Sequence, residues 1–246
     1  MATSTGVRYS DGEPDAGKGR NFPWEYPVPD NKFWNDLPFV VGRNFLLNFS
    51  AEEIEQLPID PDSALEKDQK LELLDELLHK RLAAQDSAAA PNTFYDVDYA
   101  GWDKLWLGIF TMQQELGRPE AEPTMRMMCD RRKDNANLSH FHTLAGLLLA
   151  RGEYAEAEGM EKDVKVWLEE KIGKDCPQAL GAWRIIAQAV WKQGLSRRTE
   201  AEQLLDEMKG IIDQMSSGPF VVYQKQEREL FEKMIESLKK EDHESE

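Results

Sequence analysis

Three glycines carry one frame. Counting back from Gly117, Gly152 and Gly194, a large aromatic stands eleven residues earlier each time (Trp106, Phe141, Trp183) and an aliphatic eight residues earlier (Ile109, Leu144, Ile186). Four residues before the glycines stand Gln113, Leu148 and Val190, the first of them out of pattern. The glycines are 35 and then 42 residues apart. The aromatic and the aliphatic are about one helical turn apart, so they share a face of a helix. The glycine then ends that helix, where left-handed backbone is favoured. A second amphipathic helix follows. It is clearest in the middle unit, where it begins near Tyr154 and carries Ala157, Met160, Val164, Trp167 and Leu168, with Ala157 small where two helices cross closely. One such hairpin cannot bury its own apolar face, so neighbours must stack. From Tyr99 onward the alternating pattern of a strand is almost absent, and the fold class expected is all-α.

The front of the chain reads differently. Residues 1–21 are rich in Gly, Ser, Asp and Pro and are expected to be a disordered tail. The stretch Asn21–Phe49 interleaves Phe22, Trp24, Tyr26, Phe33, Trp34, Phe39, Phe45 and Phe49 with Pro23, Pro27, Pro29 and Pro38. Those prolines forbid a continuous helix, and so many aromatics are costly to leave in water. An extended arm packed on the body is expected; an exposed partner-binding arm, or an arm lying in the chain's own groove, is the alternative. Ser50 and Glu53 form a capping box, with Phe49 and Ile54 as its staple, and Pro58 and Pro61 close that short helix. Ser63 is expected to cap a longer helix to about Gln85, with Leu71, Leu74, Leu78 and Leu82 on one face and Leu73 and Leu77 widening it. Residues 86–93 read as a loop. The resulting division is 1–21 tail, 22–93 arm with two helices packed on the body, 94–240 repeat region, and 241–246 charged tail. Residues 219–240 are expected to form the last helix, a cap whose stripe includes Phe220, Tyr223, Leu230, Phe231, Met234, Ile235 and Leu238, with a start after Phe220 and Val221 as the alternative. Glu227, Glu232 and Lys233 supply its polar outer face.

Charge narrows the partners. Among 246 residues, 46 are acidic and 30 basic, a net charge of −16. Phosphate binding needs a basic face, so nucleic acid is not the expected partner, and an anionic membrane is disfavoured for the same reason. The first residues hold no apolar core of a secretory signal, and no apolar run approaches the roughly 20 residues of a membrane span. The cytosol or nucleus, with Cys129 and Cys176 reduced, is the expected setting.

Leu144, Ala145, Leu148, Gly152, Tyr154 and Ala157 fall on the signature positions of the tetratricopeptide repeat, which these segments resemble. LLLARGEYAEAE followed by GKDCPQAL is similar to the longer repeats of kinesin light chains. The third unit matches at Trp183, Ile186, Ala187, Val190 and Gly194, then carries two extra residues before Ala201; the first unit departs at Gln113 and Glu122. The resemblance spans about Tyr99–Met215. It implies an α-solenoid of antiparallel helical hairpins with a C-terminal capping helix, and a protein-interaction scaffold or adaptor holding a peptide or partner protein in a concave groove. The groove positions it implies are Lys104, Leu107, Thr111 and Gln114 in the first unit, His142, Thr143, Gly146 and Leu149 in the second, and Arg184, Gln188, Trp191 and Lys192 in the third. The asparagines of the carboxylate clamp found in some relatives are missing there. The mixed groove suits an extended peptide with apolar anchors and some negative charge. Monomer and homodimer both remain open.

No nucleotide-binding, nucleophile-elbow or metalloprotease motif is present, and no cofactor is expected. His140 and His142 point about 200° apart on a helix and cannot easily share a metal with Cys129. Pairs such as Glu52–Glu53 and Glu169–Glu170 read as solvated helix faces. One basic cluster, Arg126, Arg131, Arg132 and Lys133, reads as neutralising nearby acids and a helix C-terminus, or else as an acidic-peptide contact. The competing class is an enzyme with a pocket between the N-terminal segment and the repeats, with His140, His142, Asp130 and Glu161 as acid–base groups.

Overall fold

The computed structural model describes residues 6–8, 26–133 and 137–245. The described part is mostly helical, with twelve α-helices and two short strands. It divides after Lys133 into two compact units. Phe22, Pro23 and Trp24, and the expected disordered tail apart from residues 6–8, lie outside the described residues.

In the first unit, β1 (Val7–Arg8) pairs antiparallel with β2 (Val28–Pro29). Residues 6–8 are therefore ordered, against expectation: Asp30 N–H donates to Gly6 O at 2.7 Å, and Arg8 donates to the carbonyls of Trp34 and Leu37. The aromatic–proline stretch is not a simple extended arm either. Pro29 ends β2 and Pro38 stands at the N-cap of α2, so neither interrupts a helix and α1 (Lys32–Asn35) and α2 (Phe39–Leu46) are free to form. Phe33, Trp34 and Phe45 are buried, and the Phe45 ring centroid lies 5.8 Å from Trp34 and 4.9 Å from Phe49. α3 (Ala51–Glu55) has the reciprocal Ser50–Glu53 capping box.

The long helix α4 (Lys67–Ala89) starts and ends later than its sequence pattern indicates. Ser63 instead bonds locally to Leu65 N–H, and Glu66 with Gln69 supplies the capping box that opens the helix. The first half of the stretch expected to be a loop, residues 86–93, continues α4, where the alanines favour helix, and the second half leaves the helix as expected. Leu71, Leu74 and Leu78 are fully buried. α5 (Phe94–Val97) leads into α6 (Tyr99–Glu115), which packs on α2, α4, α5 and α7 (Ala121–Arg131) and so forms the centre of this unit. α6 ends as the frame requires: Gly117 has φ +64°, and Arg118 N–H reaches back to Gln113 O while Gly117 N–H reaches Gln114 O.

The second unit is a run of five helices: α8 (Ser139–Arg151), α9 (Tyr154–Lys171), α10 (Pro177–Lys192), α11 (Arg198–Gln214) and α12 (Gln224–Ser245). Each packs on the next; in addition α8 touches α10, and α10 touches α12. Gly152 and Glu153 alone join α8 to α9, so the second helix returns along the first. Gly152 is left-handed at φ +87°, and its cap bonds repeat those at Gly117. Ile109, Leu144 and Ile186, the aliphatics of the frame, are all buried, as are Ala157, Val164 and Leu168 on α9. The two extra residues of the third unit are absorbed in a 3₁₀ turn, Leu195–Arg197.

The last helix starts after Phe220 and Val221, the later of the two starts its sequence allows, and runs further than expected at its other end. Phe220 is buried ahead of a 3₁₀ turn, Val221–Tyr223, so α12 begins only at Gln224. At the other end the helix continues through Ser245 where a charged tail was expected to fray; Glu246 lies outside the described residues.

One buried carboxylate ties α9 to the start of α11. Arg197 lays two N–H groups on Glu158, and Gln193 and Lys162 donate to the same carboxylate. These bonds, the Arg197 contact first, hold the Glu158 carboxyl down at about 2, against an ordinary value of 4.5. Because the folded value lies below the unfolded one, this stabilisation is complete above about pH 5 and is lost as the pH falls from there toward 2. The network is expected to contribute about 2–3 kcal/mol at neutral pH once solvent screening is allowed for. Comparing unfolding of wild type and Glu158→Gln at pH 7 and pH 3 checks this: the variant should be less stable at pH 7, and the gap should shrink to less than half at pH 3. An equal gap at both values would contradict it.

Candidate functional site

The four groove positions of the first unit lie on α6, and α2 sits against that helix. Thr111 is buried: Asn44 Nδ2 donates to its hydroxyl at 2.9 Å, and the hydroxyl donates to Leu107 O. Gly108 makes the approach close enough, since an added Cβ would stand 3.1 Å from Asn44 O, Asn48 Nδ2 and Leu78 Cδ1. Asn48 Nδ2 also reaches Lys104 O. Thr111 is therefore not available to a partner, because the aromatic segment folds as α2 and lies on α6. Leu107 is half-buried, and Lys104 and Gln114 remain exposed.

In the second unit, His142 on α8 meets Glu161 on α9, Nδ1 to Oε1 at 2.5 Å. Glu161 is fully buried, and its other oxygen has no hydrogen-bond partner. Burial pushes its carboxyl up, with His142 acting in the opposite direction. Gly181 on α10 leaves room for the imidazole: an added Cβ would lie 3.4 Å from His142 Cε1 and Nε2 and 3.7 Å from the Arg184 guanidinium. One turn along, a Cβ on Gly146 would lie 3.9 Å from Ile185 Cδ1, so α8 and α10 run side by side here. His142, Thr143, Gly146 and Leu149 are each partly exposed. They present an imidazole, a hydroxyl, a bare stretch of backbone and an apolar side chain along one helix.

The third-unit positions are occupied from within. Arg184 pairs with Glu227 of α12, which is 2% exposed and so is not the surface residue its sequence position implies. Trp191 is buried beneath the Arg198 guanidinium, 3.5 Å from its ring centroid, and its indole N–H donates to Asp242. Lys192 pairs with Glu241 at 2.7 Å. Gln188 donates to Arg184 O and stays half-exposed. α12 thus lies across three of the four third-unit positions, and α8 carries the more open part of the face.

The basic cluster works locally. Arg126 pairs with Glu122 one turn earlier, Arg132 reaches Cys129 O, and Lys133 donates to Tyr95 O while its ammonium stands 4.3 Å from the Tyr95 ring centroid. With Tyr95 Oη donating to Arg131 O, this pins the end of α7 onto α5. Cys129 and Cys176 are buried free thiols; burial pushes Cys129 up to about 11 and Cys176 upward too. Neither is poised as a thiolate nucleophile. Of the proposed acid–base groups, His140 is buried and Asp130 is exposed on α7 of the other unit. Among the described residues no three His, Cys, Asp or Glu side chains converge as a metal site requires, and no helix is long and apolar enough to cross a membrane.

Comparison with known proteins returned no match: no family model, no curated protein and no solved structure is similar to this chain.

Proposed function

We propose that the chain is a non-enzymatic interaction protein, a scaffold or adaptor whose second unit is built from tetratricopeptide-like hairpins and holds a partner on the face of α8 and the adjoining edge of α10. The observation that carries this reading is the packing of α8 on α10 and of α10 on α12, with α9 and α11 interposed along the chain. A stack of paired helices makes that pattern, because each first helix must meet the first helix of the next pair. The left-handed Gly152 and the short α8–α9 link are consistent with it. The partner is a protein segment with apolar anchors and polar contacts, in keeping with Leu149, Thr143 and His142. One face of this length corresponds to micromolar affinity, about 8 kcal/mol.

The test is quantitative co-purification with the tagged full chain. Thr143→Glu/Leu149→Arg changes the α8 face and leaves the buried pairs intact; Val166→Glu on α9, half-exposed, is the control. The face variant should lose at least tenfold of its partners and the control none. Identical partner sets in all three proteins would remove this face from consideration.

A second reading rests on the His142–Glu161 pair. A buried carboxylate orienting a partly exposed imidazole is the base half of an acid–base site. A reaction of that kind requires a substrate-sized enclosure at His142. Titration of His142 by NMR in the presence of partner peptide separates the two readings: a shift confined to the α8 face favours binding.

A further inference from the structure

Asp242, near the end of α12, is held as a bound ligand would be. Arg198 lays two N–H groups of its guanidinium fork on the two carboxylate oxygens, the second at 2.9 Å, and the Trp191 indole N–H adds a third donor at 3.3 Å. Stacking on Trp191 fixes the plane of the fork, and Lys192 binds the neighbouring Glu241. Three oriented donors on one carboxylate, one fork of them bidentate, make a built receptor for that group. It retains unused capacity, since Arg198 Nε is buried without an acceptor. Trp191, Lys192 and Arg198 also line, with Tyr154, Glu202 and Leu195, an open cleft of about 490 Å³ in which Leu195 is 83% exposed.

The occupant lies beyond the last buried apolar anchor of its helix. Met234 and Leu238 are the last buried apolar side chains of α12, and the sequence then runs Lys239-Lys240-Glu241-Asp242. Glu241 and Asp242 are both partly exposed, so water reaches their ion pairs with Lys192 and Arg198.

We infer that Trp191, Lys192 and Arg198 form a carboxylate receptor that the chain fills with its own Asp242 and Glu241, and that an acidic peptide segment of a partner displaces them, with an apolar side chain of that segment entering the cleft beside Leu195. The inference rests on the partner-binding reading above and extends it to a defined chemistry. The internal segment is a competitor at high local concentration, so the apparent affinity for an external acid is reduced by the fraction of chains in which the receptor is open. A receptor open in one chain in ten binds about tenfold more weakly than one without its cover, a difference of 1.4 kcal/mol.

The probe is a fluorescein-labelled peptide of residues 233–242, acetylated and amidated, titrated by fluorescence polarisation into the full-length chain. Glu241→Ala/Asp242→Ala, which uncovers the receptor, should bind it at least tenfold more tightly than wild type. Adding Arg198→Lys keeps the charge but removes the fork, and should return binding to the wild-type level or below. A probe with Glu241→Gln and Asp242→Asn should bind every chain weakly. Equal affinity of wild type and the uncovered chain, equal affinity for acid and amide probes, or no binding by any chain would each overturn the inference. Thr143→Glu/Leu149→Arg lies outside this receptor. If that variant loses its partners while the probe binds no chain, the receptor inference alone fails; if neither responds, both readings fail.

Discussion

Arg184→Ala is expected to cost the second unit about 3–5 kcal/mol, far more than removal of an exposed arginine. The reason lies in its partner. Glu227 is 2% exposed, burial already pushes its carboxyl upward, and Arg184 provides the countercharge. Truncating the arginine leaves a carboxylate without water and without a cation. Replacing both together, Arg184→Met with Glu227→Leu, fills the same volume with apolar atoms and is expected to be close to neutral or stabilising. Urea unfolding followed by hydrogen exchange on α10 and α12 reads both results. A loss below about 1 kcal/mol for Arg184→Ala would mean that solvent reaches the pair and that α12 does not seal this side of α10.

Phe45→Ala is expected to destabilise the first unit by about 3–5 kcal/mol. Phe45 is fully buried, packs between Trp34 and Phe49, and belongs to the helix that covers α6. Removing residues 1–49 takes α2 away entirely and exposes Gly108 and Thr111 on α6. That truncation should unfold the first unit and not merely increase partner binding, as it would if the segment were an autoinhibitory arm. Exchange protection of α6 amides is the readout; full protection in the truncated chain would restore the arm reading.

Periodicity and capping were legible because they are local. Gly117 and Gly152 terminate their helices through backbone geometry that glycine alone adopts cheaply, and the Ser50–Glu53 box needs only four residues. The apolar stripes of α4 and α9 follow from a 3.6-residue period. What stayed hidden depends on partners distant in sequence. Lys70, Glu158, Glu161 and Glu227 look like surface charges, yet all are buried, because Asp36, Arg197, His142 and Arg184 arrive from other elements. Thr111 reads as part of an open face since nothing in its own helix signals that Asn44 will cover it. The end of α12 reads as a solvated run of charge until Arg198 and Trp191 are seen around Asp242. For the candidate site, the helix was therefore legible and its accessibility was not: α8 positions remain open, while three of the four on α10 are taken.

The same reasoning decides where a partner must land, and site-specific photo-crosslinking reads that directly. With a benzophenone side chain at Thr143 on α8 or at Val166 on the far part of α9, full-length protein is irradiated with the partner that the Thr143→Glu/Leu149→Arg variant fails to retain. Crosslinks concentrated at position 143, absent at 166, are the expected result; equal yields at both positions, or adducts at 166 alone, would contradict a partner-binding face on α8.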